Sequence, residues 1–340
     1  MEKQSGVNFT GTAKEYFGIW IVNLVLSMIT LGVYSAWAKV RRETYFKNNT
    51  KIGTNGFGYH ATGGQILKGR LIVVGVLIVL NIISSFQPII GAALLPFFLF
   101  LTPWLLNKSM KFSARMTSYR NVRFNWYGTY WKTFWFLVIA PFFGFLTLGL
   151  ITPLITKSYY SYFARSHSFG KSKFSCHPKT RTFYFAFFIG FILPTIIISC
   201  IFGILLFSIN LFVGGYNSLI SLQSFLPMFI IILIFLTTSI YRVLCRNLMM
   251  KSLILENVAD FDSNLNPIRF IWISISNLVA IILSFSLLLP WAKIRMYNYI
   301  VSCTKINIHG DLDKIVDEAN SVKSAFGEEL AESQDIEVSI

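Results

Sequence analysis

The stretch IGFILPTIIISCIFGILLF, residues 189–207, lies inside sixty consecutive residues, Thr182–Tyr241, that carry no charged side chain. A helix of about 20 apolar residues crosses a bilayer, so this region is long enough for two crossings. Polar turn residues at 214–218 divide it near the middle. The region therefore predicts a transmembrane helical hairpin with legs near 183–207 and 225–242.

Four further uncharged stretches extend this pattern. The longest, Ile72–Asn107, predicts a second hairpin with legs near 72–86 and 90–107. The other three have 23 or 24 residues, and each can cross once or enter and return; they are Tyr16–Ala38, Thr133–Thr156 and Phe270–Ala292. Bends are available at Thr30-Leu31-Gly32 and Thr147-Leu148-Gly149. The predicted fold class is all-α, a polytopic membrane protein with two transmembrane hairpins and three re-entrant or kinked segments.

The charge distribution indicates which topology to expect. Charged residues make up only 13% of the 340 residues, against about 25% in soluble domains, which argues against a soluble enzyme. Seven complete crossings would divide the 30 basic residues into 12 and 18. Two crossing hairpins with three re-entrant segments place all 30 on one face. The positive-inside rule favours the second arrangement and puts both termini in the cytoplasm; ordinary kinked spans remain the alternative.

An internal repeat runs through the chain. A shift of 117 residues aligns Tyr45 with Tyr162, and a shift of 254 aligns Tyr45 with Tyr299 and the Trp-Ala-Lys at 37–39 with that at 291–293. Such recurrence predicts a threefold repeat. Its units are repeat 1 at 1–115 (apolar segment 16–38, basic loop 39–70, hairpin 71–107), repeat 2 at 116–250 (apolar segment 133–156, basic loop 157–181, hairpin 182–242), repeat 3 at 251–310 (apolar segment 270–292, no hairpin) and an acidic tail at 311–340.

Two copies of one motif carry a family resemblance. The run TLGVYSAWAKVR at 30–41 and the run PWAKIR at 290–295 resemble the signature of the YjgN-like bacterial inner-membrane proteins, a family with a domain-of-unknown-function label. The run AFGEEL at 325–330 resembles its C-terminal pattern. The resemblance implies a polytopic inner-membrane protein and supplies no activity, substrate or cofactor. The middle repeat departs from the pattern at Leu154 and Thr156, where the motif has Trp and Lys.

The Trp-Ala-Lys-x-Arg motif supplies the candidate lipid contacts. A Trp ring prefers the headgroup level, while Lys and Arg reach for water and lipid phosphates. The motif is therefore an interfacial anchor or, if its cations converge, a site for headgroups or other anionic ligands. The candidate contacts are Trp37, Lys39, Arg41, Arg42, Trp291, Lys293 and Arg295. Asn23 and Asn277 are a candidate intramembrane polar pair, which would bond between repeats or line a polar pathway.

The sequence predicts no catalytic, cofactor or metal site. His60, His177 and Cys176 fit no zinc-binding spacing. The five uncharged stretches also lack histidine, whereas ion-coupled transport places ionisable groups at depth. We expect a non-enzymatic structural, lipid-interacting or scaffold protein; the alternative is a transporter or channel for a neutral or anionic small solute.

The partners expected from the sequence are membrane phospholipids. The basic residues border apolar runs, which is typical of membrane proteins and argues against nucleic-acid binding. The tail from Asp311 repeats apolar residues at helical spacing, and its nine acids oppose two lysines. We expect this amphipathic acidic tail to dock on the protein's own basic loops or on a protein partner.

Overall fold

The computed structural model describes residues 3–86, 88–213, 226–256, 258–310 and 317, and within them short strands alternate with helical pairs. The strands are β1 (Lys3–Phe9), β2 (Thr50–Ile52), β3 (Asn55–Tyr59), β4 (Thr117–Tyr119), β5 (Val122–Trp126), β6 (His167–Phe169), β7 (Ser172–Cys176), β8 (Leu253–Leu255), β9 (Ala259–Ser263) and β10 (Thr304–Ile308). The helices are α1 (Ala13–Ile29), α2 (Ser35–Asn48), α3 (Gly63–Phe86), α4 (Pro88–Arg115), α5 (Tyr130–Phe134), α6 (Ala140–Leu146), α7 (Thr152–Arg165), α8 (Thr180–Phe187), α9 (Leu193–Val213), α10 (Leu226–Lys251), α11 (Pro267–Leu283) and α12 (Leu289–Ser302). Single π-helical turns join α5 to α6 and α8 to α9. The chain is therefore mostly helical, as predicted, but the described residues also form strands that the all-α fold class did not include.

The strands form a closed antiparallel barrel. Each strand pairs with its neighbours along the chain, and β1 pairs with β10 to close the ring. Tight turns with positive φ at Gly53, Arg120, Asn121 and Gly170 join strands at one end of the barrel. The helical pairs are inserted between strands at the opposite end. We call these the turn end and the helix end.

The barrel interior explains why such short strands are stable. Side chains alternate between the two faces of a strand, and each strand contributes an apolar side chain to an interior set of five facing cross-strand pairs. This set, the lumen ring, comprises Val7, Ile52, Phe57, Tyr119, Phe124, Phe169, Phe174, Leu255, Phe261 and Ile306. Aromatic pairs such as Phe57–Tyr119 and Phe124–Phe169, both with ring centroids 5.1 Å apart, pack between paired strands.

Three of the helical pairs are short, and their bends share one backbone conformation. Leu31 and Gly32 have φ of 49° and 90°, and Leu148 and Gly149 have φ of 51° and 86°. In the last short pair Phe285 and Ser286, at 49° and 71°, take the same left-handed conformation without glycine. The tip residues Leu31, Leu148 and Phe285 are 95%, 92% and 92% exposed. The short pairs therefore end in uncovered apolar tips.

The two other helical pairs are longer. Among the described residues, three helical stretches are long and apolar enough to cross a membrane, namely Gly63–Ser85, Thr180–Ser208 and Leu226–Lys251. They lie where the sequence predicts hairpin legs. The predicted turn at 214–218 and the acidic tail at 311–340, apart from Asp317, lie outside the described residues.

Candidate functional site

A tyrosine of the second helix fixes the base of each short helical pair. The Tyr299 hydroxyl accepts a hydrogen bond from the backbone N–H of Asn266 at 2.9 Å and donates to its carbonyl at 3.1 Å. Tyr45 makes the same two contacts with Thr12 at 2.8 and 2.9 Å, and Tyr162 donates to the corresponding carbonyl at 3.3 Å. The three tyrosines that align in the sequence therefore tie the two helices of a pair together beside the barrel.

The last short pair, α11 and α12, encloses a cleft of about 510 Å³ next to this tether. We call it the arginine cleft. Its residues follow helical spacing on both helices, so each helix directs one face into it. The lining residues are Arg269, Trp272, Ile273, Arg295, Asn298, Tyr299 and Ser302. None of these residues is acidic, so the cleft carries positive charge.

Both guanidinium groups of the arginine cleft are held in place. Arg295 donates to Ser276 Oγ at 2.7 Å and to Asn277 Oδ1 at 3.1 Å, and it lies 5.1 Å from the centre of the Trp291 ring. Arg269 lies 5.2 Å from the centre of the Tyr299 ring. These partners are neutral side chains and aromatic faces, so none of the partners given by the described residues compensates the positive charge of either guanidinium. Such an arrangement favours an anion.

The other candidate lipid contacts lie mainly on the first short pair. The Trp37 ring packs on α3 at Gly63, where a Cβ would lie 2.4 Å from it. Arg41 lies 5.7 Å from the centre of the Tyr34 ring, whereas Arg42 forms a 3.1 Å ion pair with its neighbour Glu43. These residues therefore do not line the arginine cleft.

One pair of predicted cations from different helical pairs does approach. Helix α1 packs against α12. The pKa of Lys293 is lowered, first by desolvation and then by the charge of Arg42. On α2, burial lowers the pKa of Lys47, and the charge of Lys39 adds to that lowering. Arg42 and Lys293 therefore lie close enough for their charges to interact.

The two candidate intramembrane asparagines are not bonded to each other. Asn277 donates from Nδ2 to the Ala292 carbonyl at 3.0 Å and accepts from Arg295, so both of its groups are satisfied within its own helical pair. Asn23 is equally buried, but its Oδ1 has no hydrogen-bond partner among the described residues. Arg41, which aligns with Arg295 under the 254-residue shift, lies over Tyr34 instead.

A second basic cleft, not predicted from the sequence, lies between α4 and the start of α5. It has a volume of about 360 Å³ and includes Lys108, Lys111 and Arg115 beside several aromatic residues. Lys108 Nζ lies 5.7 Å from the centre of the Trp104 ring. We call it the lysine cleft. The signal in the sequence is the spacing of three and four residues between its cations, which places them on one helix face.

The histidines and cysteines of the described ranges form no group of three or more potential metal ligands with the acidic residues. His60 Nε2 lies 2.7 Å from Ser118 Oγ, and His177 Nδ1 lies 2.9 Å from an Arg165 nitrogen. Cys176 is buried against the α10 backbone. These side chains therefore contact the barrel and its adjoining helices.

Comparison with known proteins places the chain in a family. Residues 4–333 match the family described as "Bacterial protein of unknown function (DUF898)". Inner membrane protein YjgN of Salmonella typhimurium (strain LT2) is 26% identical over 358 residues, which cover 90% of this chain and 89% of the relative. Inner membrane protein YjgN of Escherichia coli (strain K12) is 34% identical over 149 residues, which cover 42% of this chain and 37% of the relative. No solved structure matches the chain. With its apolar helices and these relatives, the chain is an inner-membrane protein that belongs to the DUF898 family.

Proposed function

We propose that this protein is a non-enzymatic, lipid-interacting scaffold of the inner membrane that binds anionic phospholipid headgroups in the arginine cleft. The observation that carries the proposal is the pair of oriented guanidinium groups, Arg269 and Arg295, in a cleft without an acidic lining residue. Guanidinium groups bind phosphate through paired hydrogen bonds. The amide of Asn298 and the hydroxyl of Ser302 add further polar groups to the same cleft.

The position of the arginine cleft fits a headgroup. The cleft lies at the base of α11 and α12, between the barrel and the apolar part of the helical pair. Trp272 is 67% exposed beside it. An exposed Trp next to cations is typical of the membrane–water interface. A lipid bound here would place its phosphate among the arginines and its acyl chains along the exposed apolar surface of α11.

The same function requires the barrel to lie on one side of the membrane. Hydrogen bonding between β1 and β2 supports this, because the first short pair lies between these strands and both of its ends must be on the same side. The uncovered apolar tips at Leu31, Leu148 and Phe285 support insertion of the short pairs as re-entrant elements. The basic excess favours a cytoplasmic location for the barrel and both termini.

Lipid retention tests the proposed site. The purified protein in nanodiscs should retain phosphatidylglycerol or cardiolipin in preference to phosphatidylethanolamine, as measured by native mass spectrometry. The double variant Arg269→Gln, Arg295→Gln should lose this preference. A matched double variant on outward-facing strand positions, Lys173→Gln with Lys305→Gln, removes the same charge and should keep it. Equal retention by both variants would contradict the proposal, and Arg269→Gln alone serves if Arg295→Gln impairs folding.

Cysteine labelling tests the topology. In a cysteine-free background, single cysteines at Thr54 in a barrel turn, Gly215 between α9 and α10, and Ser339 in the tail are treated with a membrane-impermeant reagent in intact spheroplasts. We expect only position 215 to react. Reaction at position 54 would place the barrel in the periplasm.

The acidic tail is proposed to dock on the basic surface of the protein itself. It follows β10 directly at the turn end, where Arg120 and Lys171 occupy two turns. Deletion of 311–340 should lower the melting temperature by a few degrees, and added salt should weaken the effect because surface charges are screened. No change on deletion would favour a protein partner. Solute flux in proteoliposomes would favour the transporter alternative.

A further inference from the structure

The lysine cleft takes no part in the headgroup binding proposed for the arginine cleft. Its volume of about 360 Å³ is within the range of small-molecule sites. Lys108 directly follows the uncharged stretch Ile72–Asn107, and Arg115 is the last residue of α4 before the barrel. The cleft therefore lies where the apolar surface of α4 ends and the barrel begins.

Several neutral polar groups that line the lysine cleft already have partners within the protein. Asn107 Oδ1 accepts hydrogen bonds from Trp126 Nε1 at 3.0 Å and from Thr133 Oγ1 at 3.1 Å. The Tyr130 hydroxyl donates to the Phe100 carbonyl at 2.8 Å. The donors of Trp126 and Tyr130 are therefore committed, so a ligand would be recognised chiefly by the cations of the cleft.

Three cations line the lysine cleft from one face of α4. Lys108, Lys111 and Arg115 are separated by three and four residues, and they extend along about 10 Å of the helix axis. Lys108 is exposed and lies 5.7 Å from the centre of the Trp104 ring. Within the part of the chain that the structure describes, no acidic residue lines the cleft and none of the three cations forms an ion pair. The row therefore attracts a ligand with more than one negative charge.

We propose that the lysine cleft binds a diphosphate group. Lysine ammonium groups bind phosphate as point charges, and an arginine binds it through paired hydrogen bonds. One phosphate leaves part of the row without a counter-ion, whereas two linked phosphates extend along it. Lys108 and Lys111 would bind one phosphate and Arg115 the other. This site is separate from the arginine cleft, so the proposal does not rest on headgroup binding there.

The organic part of the ligand has a different neighbour at each end of the row. Trp104, which is 44% exposed, lies on the apolar side of the cations, and Tyr127, which is 64% exposed, follows β5 on the barrel side. The chain of a membrane lipid would lie against Trp104. The base of a soluble nucleotide would stack on Tyr127. The diphosphate is common to both sources, and the experiment distinguishes them.

Calorimetric titration of the full-length, delipidated protein in detergent tests the proposal. The probes are inorganic pyrophosphate and inorganic phosphate. We expect pyrophosphate to bind roughly tenfold more tightly than phosphate, because it makes additional bonds to charged groups. The double variant Lys108→Gln, Lys111→Gln should lose this preference. Lys108→Gln alone, at an exposed position, serves if the double variant fails to fold.

Two control variants locate the binding. Lys179→Gln with Lys251→Gln removes the same charge at exposed positions beside α8 and at the end of α10, and it should keep the preference. Arg269→Gln with Arg295→Gln should also keep it. Equal affinity of the wild type for the two probes overturns the proposal. Loss of the preference in the arginine variant instead of the lysine variant also overturns it, because the diphosphate would then bind in the arginine cleft.

Two further probes identify the source of the diphosphate. Farnesyl diphosphate represents a lipid, with empty micelles as the correction for partition, and ADP represents a soluble nucleotide. Tighter binding of farnesyl diphosphate than of pyrophosphate, lost in Trp104→Ala, supports the site with a lipid as its ligand. Tighter binding of ADP, lost in Tyr127→Ala, supports it with a nucleotide. Binding of either probe that Lys108→Gln with Lys111→Gln leaves unchanged contradicts the proposal.

Discussion

The two equivalent asparagines should respond in opposite directions to the same substitution. Asn277→Leu removes the hydrogen bond that Asn277 donates to the Ala292 carbonyl and the hydrogen bond that it accepts from the charged Arg295. Bonds to charged groups contribute about 1.5–3 kcal/mol and neutral ones about 0.5–1.5 kcal/mol, but bonds within a membrane average about 0.6 kcal/mol. We therefore expect Asn277→Leu to lower the free energy of unfolding by about 1–3 kcal/mol.

Asn23→Leu removes a buried oxygen that has no hydrogen-bond partner among the described residues. An unsatisfied buried acceptor costs about 1–3 kcal/mol, and leucine keeps the same branching and the same number of side-chain heavy atoms. We expect this variant to be as stable as the wild type or more stable by up to about 2 kcal/mol. Thermal unfolding in detergent, followed by intrinsic fluorescence and circular dichroism, measures both variants. Equal destabilisation by the two would refute the reasoning, because it would mean that Asn23 Oδ1 has a partner in the folded protein.

Three other predictions concern the tether, the lumen and one lysine. Tyr299→Phe keeps the ring but removes both hydrogen bonds between the hydroxyl and Asn266. It should therefore lower the free energy of unfolding by about 1–2 kcal/mol, as measured by thermal unfolding. An unchanged melting temperature would show that the tether is dispensable. Phe124→Ala enlarges a cavity that already exists and should cost about 3 kcal/mol in the same assay, while the outward-facing neighbour change Asn125→Ala should cost under 1 kcal/mol. Burial lowers the pKa of Lys47 from 10.5 to about 8; between these values the unfolded chain keeps a proton that the folded chain has released, so stability should rise from pH 8 to pH 10.5. Denaturation midpoints across this range should show less of that rise in Lys47→Met.

The membrane helices could be predicted from the sequence because their signal is local. The sixty uncharged residues at Thr182–Tyr241 require an apolar environment, and this requirement does not depend on contacts with the rest of the chain. The bends at Leu31 and Leu148 were also predictable, since a glycine follows each of them. The bend at Phe285 contains no glycine. Ser286 adopts a positive φ there, and because non-glycine residues rarely do so, the sequence gives no signal for this bend.

The barrel could not be predicted in the same way, because its strands are short and charged on one face. Val122–Trp126 alternates inward and outward side chains over only five residues, too few for a clear period of two. Its outward Arg123 and Asn125 interrupt any continuous apolar run. The pairing of β1 with β10 joins the two ends of the described chain. No local pattern encodes such a contact, so the predicted loops contain the strands.

Only some residues of the arginine cleft and its surroundings could be predicted from the sequence. Arg295 and Trp291 belong to a recurring motif, and Asn277 has its counterpart at position 23. Arg269 flanks the apolar segment 270–292 and Trp272 lies inside it, and no motif in the sequence singles out either residue. The sequence does not show that Tyr299 holds the bases of α11 and α12 together. This contact brings residues about 25 positions apart into one cleft.

Closure by β1 and β10 has a consequence for biosynthesis. The first strand leaves the ribosome roughly 300 residues before its partner, which at about 5–20 residues per second is on the order of 15–60 s. During that interval the growing chain presents an unpaired strand edge, which is a site for wrong pairing or chaperone capture. The ring can therefore close only after the helices between its strands have been made, when β10 reaches β1.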